Sequence, residues 1–163
     1  EQPQPPEVVL DRPATLSDSY VADDAVKLDF YRRLARAVTS SDIEPLRDEL
    51  RERFGPLPDS AETLLDMARL RVIGAELGLQ HLLVRGDEAR LTFREGAVPR
   101  FAGLSAALDH VQLAVDIRRT VPLSLRLTRL GGQALVPALV RALAAVAEKQ
   151  GTSKQDLTVR QEQ

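Results

Sequence analysis

Asp48, Glu49 and Glu52 are the densest group of side chains in this 163-residue chain that could do chemistry. Two carboxylates held in unlike environments inside a cleft can divide general-acid and general-base work between them. These three fall instead, at helical spacing, on a flank away from the apolar set Ile43, Leu46, Leu50 and Phe54. They are interleaved with Arg47, Arg51 and Arg53. Two readings stay open. One is a solvated helix face on which the like-charge pair Asp48–Glu52 is offset by neighbouring arginines. The other is an acidic edge that docks a basic partner.

The remaining candidates are sparser. His81 and His110 are the only histidines. Neither has a second ligand at a useful helical spacing, whereas a transition-metal site usually wants about three or four; they read as a strand-edge and a helix-end histidine. Gly131-Gly132 lacks the G-K-[ST] continuation of a phosphate loop, and no G-x-G-x-x-G occurs, so it reads as a turn. Arg118, Arg119, Arg126 and Arg129 cluster where they could touch phosphates or acidic protein. They lack the interleaved aromatics on which single-stranded bases stack. Tyr20 and Tyr31 read as amphipathic anchors at the domain edge. The chain has no cysteine, which removes thiol catalysis, disulfides and thiolate metal sites together. No catalytic, metal or cofactor site emerges, and the expectation is a non-enzymatic surface for a partner.

Composition agrees with that expectation. Hydrophobic residues are 44% and charged residues 28%, as in a soluble globular chain of about one domain. Aromatics are only 4% with no Trp, so Leu, Val and Ala must fill the core. A net charge of −2 argues against a dedicated nucleic-acid binder, which shows a basic excess or face. No apolar run approaches the roughly 20 residues of a membrane span. The absence of cysteine fits a reducing cytoplasm. The start, Glu1-Gln2-Pro3-Gln4-Pro5-Pro6, has neither a signal-peptide pattern nor an initiator Met, and suggests a piece of a longer or processed protein.

The elements that must position these residues are legible from periodicity. Residues 1–13 read as an extended linker in which Val8-Val9-Leu10 forms a short strand, and 14–22 as an approach anchored by Leu16, Tyr20 and Val21. A first helix starts at Asp23 or Asp24 and buries Val26, Phe30, Leu34 and Val38. A second opens with Ser41-Asp42-Ile43-Glu44 as a capping box, tolerates Pro45 in its first turn and stops at Gly55-Pro56. A third follows Leu57-Pro58, with Asp59 and Glu62 as a capping pair and Leu64, Leu65, Ala68, Val72 and Ala75 as its core face, and ends at Gly78. Period-two stretches at His81–Val84 and Ala89–Phe93 flank Arg85-Gly86-Asp87-Glu88 as a hairpin. Helical spacing returns over Val98–Leu108, with Phe101 and Leu104 on its apolar face. A second hairpin pairs Val111–Val115 with Leu123–Leu127, and a last helix runs from about Gln133 to Lys149. The expected fold is α+β: three N-terminal helices, two β-hairpins forming a small antiparallel sheet, and a C-terminal helix. Its division is 1–13 extended, 14–150 folded and 151–163 a disordered tail.

Three segments carry a resemblance. They are Tyr20-Val21-Ala22-Asp23-Asp24 with Leu28-Asp29-Phe30-Tyr31-Arg32-Arg33-Leu34-Ala35, then Leu46 to Pro58 with Arg53-Phe54-Gly55-Pro56-Leu57-Pro58 at its end, then Leu64-Leu65-Asp66-Met67-Ala68-Arg69-Leu70-Arg71. In that order they resemble the C-terminal domain of bacterial transcription-repair coupling factor (Mfd), over about residues 8–95. Ser17 departs from the family, which usually has Pro there. The resemblance implies a regulatory domain without cofactor, whose parent carries an ATP-dependent DNA translocase motor outside this chain. It implies docking on the N-terminal UvrB-like module of the same protein, so that the UvrA-binding surface is masked until stalled RNA polymerase is engaged. RNA polymerase and DNA would be met through other domains, with this domain monomeric. The family's acidic docking positions fall on Glu49 and Glu52, with Asp48 beside them. The alternative is a nucleic-acid-binding accessory module using the Arg118–Arg129 region.

Overall fold

The fourfold spacing of Val26, Phe30 and Leu34 winds the first helix, and the Asp23 carboxylate starts it by accepting from the Ala25 and Val26 amides. The computed structural model describes residues 3–97 and 103–161, with 152–161 described by backbone alone. In chain order the elements are β1 (Glu7–Leu10), α1 (Asp24–Ala35), a 3-10 turn (Ser40–Asp42), α2 (Glu44–Phe54) and α3 (Asp59–Leu77). They continue with β2 (Leu79–Arg85), β3 (Glu88–Phe93), α4 (Leu104–His110), β4 (Leu113–Arg118), β5 (Ser124–Arg129) and α5 (Leu135–Gln161). The fold is α+β, as the spacing predicts.

α3 is the spine. Leu64, Leu65, Ala68 and Val72 pack on α1, α2, Leu16 and Val21, while Leu70, Ile73 and Leu77 pack on the sheet, α4 and α5. A helix apolar on opposite sides is one buried between two layers. Leu50, Leu65, Leu82 and Leu139 are fully buried, and each such side chain stabilises the fold by about 1.5–3 kcal/mol.

The sheet is five-stranded in the order β1-β2-β3-β5-β4. It is mixed and not purely antiparallel, because β1 pairs parallel to β2 after a crossover through α1, α2 and α3. The N-terminal segment therefore belongs to the fold. Pro6 is buried against Gly74, where an added Cβ would lie 2.6 Å from its ring, and the Arg94 guanidinium donates to the carbonyls of Gln4 and Pro5. The helices cover one sheet face only. On the other, Val9, Leu83, Arg90, Arg126 and Asp116 form one row of paired positions.

Several local expectations are corrected. α1 ends at Ala35, and Val38 lies beyond it, 48% exposed. Asp42, not Ser41, does the capping: its carboxylate accepts from the Val38 and Thr39 amides, and the 3-10 turn delays α2 to Glu44. α3 has Pro58 as its N-cap, which offers neither a side-chain acceptor nor an N–H for a capping box, and Glu62 accepts from Arg47 instead. β4 and β5 begin at Leu113 and Ser124, later than the alternation suggests, with Gln112 at φ 56° in the turn before β4. Of the helix expected over 98–108, residues 98–102, including Phe101, lie outside the described residues, and α4 begins at Leu104. α5 continues past Lys149 to Gln161. The Gly86-Asp87 hairpin, the buried face of α2 and the left-handed Gly78 are as expected.

Candidate functional site

α2 owes its position to Leu46 and Leu50, which are buried, and to the Tyr20 hydroxyl, which donates to the carbonyls of Leu50 and Gly55 at 3.1 and 2.9 Å. Tyr20 also meets Phe54 edge to face at 5.8 Å. The other tyrosine accepts from the Leu16 amide through its hydroxyl. Both are anchors, as their amphipathic character suggests.

The flank of α2 so fixed presents Asp48, Glu49 and Glu52, and the three are not equivalent. Glu49 is spoken for. Its carboxylate accepts from Arg33 of α1 at 2.6 Å and from Arg53 at 3.1 Å, and its side chain is 32% exposed. The Arg33 hydrogen bond, with Arg53 adding to it, holds the Glu49 carboxyl below its ordinary range. The same two guanidiniums sit over aromatic faces, Arg33 over Phe30 at 5.2 Å and Arg53 over Phe54 at 5.1 Å. Asp48 and Glu52 are exposed and make no ion pair among the described residues. They stand one turn apart, a like-charge spacing that opposes a helix by roughly 0.2–0.5 kcal/mol, eased for Asp48 by the nearby charge of Arg47. Nothing about these three carboxylates forms a cleft with unlike environments, and the flank offers charge for binding.

The arginines near the second hairpin are largely neutralised. Arg126 reaches Glu88 at 3.2 Å and Asp116 at 3.1 Å, and Arg129 reaches Asp87 at 2.7 Å. Arg118 lies 4.0 Å from Asp116, while Arg119 is exposed beyond β4. A surface whose cations are already paired has little left with which to displace counterions from a phosphate backbone.

His81 is not at a sheet edge: it lies on β2, between β1 and β3, 3.4 Å from Glu7, both exposed, while His110 ends α4 as expected. Among the described residues no group of His, Asp and Glu could hold a metal ion. No helix there is long and apolar enough to cross a membrane. Gly131 packs against Gln112 in the turn before α5. The residues that sequence reasoning missed are Arg33 and Arg53, the partners of Glu49. Arg53 is signalled by its i, i+4 spacing from Glu49. Arg33 has no such signal, because only the crossing of α1 and α2 brings it there.

A family model described as the TRCF domain matches residues 10–104. The transcription-repair-coupling factor of Escherichia coli K12 is 46% identical over 99 residues, covering 61% of this chain and 8% of that protein. The transcription-repair-coupling factor of Myxococcus xanthus is 37% identical over 125 residues, covering 72% of this chain and 10% of that protein. This chain thus spans a tenth or less of the length of these relatives. A solved structure, the crystal structure of the C-terminal domain of transcription-repair coupling factor, superimposes with a TM-score of 0.76 at 19% identity, over 91% of this chain and 92% of that one. The chain belongs to the TRCF domain family of transcription-repair coupling factors.

Proposed function

We propose that this chain is the non-catalytic, autoinhibitory domain of a longer coupling factor in transcription-coupled and nucleotide excision repair. It docks on the UvrB-like N-terminal module of the same protein and masks the surface that recruits UvrA. The parent's ATP-dependent DNA translocase motor and its contacts with RNA polymerase and DNA lie in other domains, and engagement of stalled RNA polymerase opens the contact.

The observation that carries this reading is the pair of exposed, unpaired carboxylates Asp48 and Glu52 on a helix otherwise held firmly by Leu46, Leu50 and Tyr20. Like charges without an ion-pair partner on a well-anchored helix are what a basic partner would neutralise. Glu49 takes a different part: locked by Arg33 and Arg53, it sets the shape and charge of the border beside them. Tethering within one chain gives such a polar contact a high effective concentration, so it can be closed at rest and still be broken.

The test is a calorimetric titration of this chain into the purified UvrB-like module. Asp48→Arg with Glu52→Arg should weaken binding by about tenfold or more, since close interfacial charge pairs couple by about 1.5 kcal/mol upward. Glu49→Arg should act by releasing Arg33 as well as by its own charge. Unchanged affinity in the double variant removes the site assignment.

A further inference from the structure

A second surface shares no lining residue with the acidic flank and is independent of the docking reading. The C-terminal end of α1, the middle of α3 and the N-terminal residues Pro3 and Pro5 enclose a cleft of about 490 Å³. That is within the size range of small-ligand and peptide subsites, roughly 300–1,000 Å³.

Arg71 is the unusual group in it. Two positions earlier on α3, Arg69 donates to both Glu44 and Asp66 at 2.8 Å. Arg71 is half-buried and makes no hydrogen bond or ion pair among the described residues. Burial alone pulls its pKa down, the mark of a cation removed from water without a counter-ion. A charge in that position opposes folding unless something pairs with it. Glu76 also lines the cleft and makes no ion pair with Arg71 among the described residues.

The remaining walls say what kind of anion fits. Ala35, Val38, Ala68, Val72 and Ala75 make them largely apolar. At the end of α1 the Val38 and Thr39 amides, which would otherwise continue the helix, are taken by the Asp42 carboxylate. Of the last carbonyls of α1, those of Arg32 and Leu34 accept from the Arg36 and Ala37 amides, which leaves those of Arg33 and Ala35 as acceptors among the described residues. A free phosphate or nucleotide would find one half-buried cation, Arg71, with the exposed Arg36 and Glu76 of the lining offsetting each other, and would leave the apolar walls unused. A peptide brings a carboxylate for Arg71, N–H groups for the carbonyls and an apolar side chain for the walls.

We propose that this cleft binds a short acidic segment of a partner protein, with a Glu or Asp carboxylate held by Arg71 and the peptide backbone donating to the end of α1. Arginine suits the role because its planar fork takes a carboxylate through two bonds.

The probe is the capped tripeptide acetyl-Val-Glu-Leu-amide, titrated to millimolar concentration into the 15N-labelled full chain and followed by amide chemical shifts. Saturable shifts confined to residues 35–39 and 68–76 are expected. The Gln counterpart of the peptide, and the Arg71→Gln chain, should each bind about tenfold more weakly, the loss of one charge-assisted hydrogen-bonded pair. Arg71→Lys should keep part of the affinity, and the spectrum of either variant away from the cleft reports that the fold is intact. Equal shifts from the Glu and Gln peptides would overturn the proposal. So would the same shifts produced by inorganic phosphate, or by concentrating the chain without peptide, which would mark a second copy as the occupant.

Discussion

The Arg33 guanidinium donates to the Glu49 carboxylate across 2.6 Å, tying α1 to α2 directly beside two carboxylates, Asp48 and Glu52, that make no ion pair among the described residues. One acidic flank therefore holds an internal ion pair and a free anionic patch side by side. The first bears on stability, the second on the docking proposed above, and each is separately measurable.

The ion pair has a pH signature. Glu49 has its folded-state pKa depressed, chiefly by Arg33, so its stabilisation is present above the unfolded value of about 4.3 and is lost as pH falls through the folded value. With the side chain a third exposed, solvent screening holds the contribution under about 1 kcal/mol. Glu49→Gln should be less stable than the parent by that amount in urea unfolding at pH 7, and the gap should close on acidification below about pH 4. A gap independent of pH contradicts the pairing.

Tyr20→Phe removes the hydroxyl that donates to Leu50 and Gly55 while leaving the ring against Phe54. The expected cost is about 1 kcal/mol, because two half-buried carbonyls lose a donor. The urea midpoint should fall with its slope unchanged; no change in midpoint would show that water replaces the hydroxyl without loss.

Gly55 holds the turn between α2 and α3 at φ 87° and ψ −166°, a region essentially closed to residues with a side chain. No atom lies within 4 Å of where a Cβ would stand, so Gly55→Ala tests backbone strain without a clash. A loss of about 1–3 kcal/mol is expected in the same unfolding experiment. Full retention of stability would mean that the turn relaxes freely.

The paired state of Arg126 and Arg129 predicts no gel-shift of duplex DNA by this chain at physiological salt. Binding that falls on Arg126→Ala would revive the accessory nucleic-acid reading against the autoinhibitory one.

The N-terminal half was legible because its helices each bury one clean stripe: Phe30 and Leu34, then Leu46 and Leu50, then Leu64, Leu65, Ala68 and Val72. The second face of α3, carrying Leu70, Ile73 and Leu77, was hidden, since a helix apolar on both sides loses its periodic signal. The parallel pairing of β1 with β2 was also hidden, because strand alternation states neither partner nor direction. Capping shifted away from Ser41 for a local reason: the capping box forms two residues earlier, with Thr39 as N-cap and the Asp42 carboxylate accepting from the Val38 and Thr39 amides. At the candidate site the sequence marks the three carboxylates, but which of them is free depends on Arg33 arriving from another helix. Arg71 looks like any helix-surface arginine until the fold half-buries it with no hydrogen bond or ion pair among the described residues.

The central claim is masking, and competition tests it most directly. A complex of UvrA with the purified UvrB-like module is challenged with rising concentrations of this chain, and released UvrA is measured. The account predicts that the chain displaces UvrA, that Asp48→Arg with Glu52→Arg abolishes the displacement, and that added salt weakens it. A stable ternary complex of UvrA, the UvrB-like module and this chain would contradict the account.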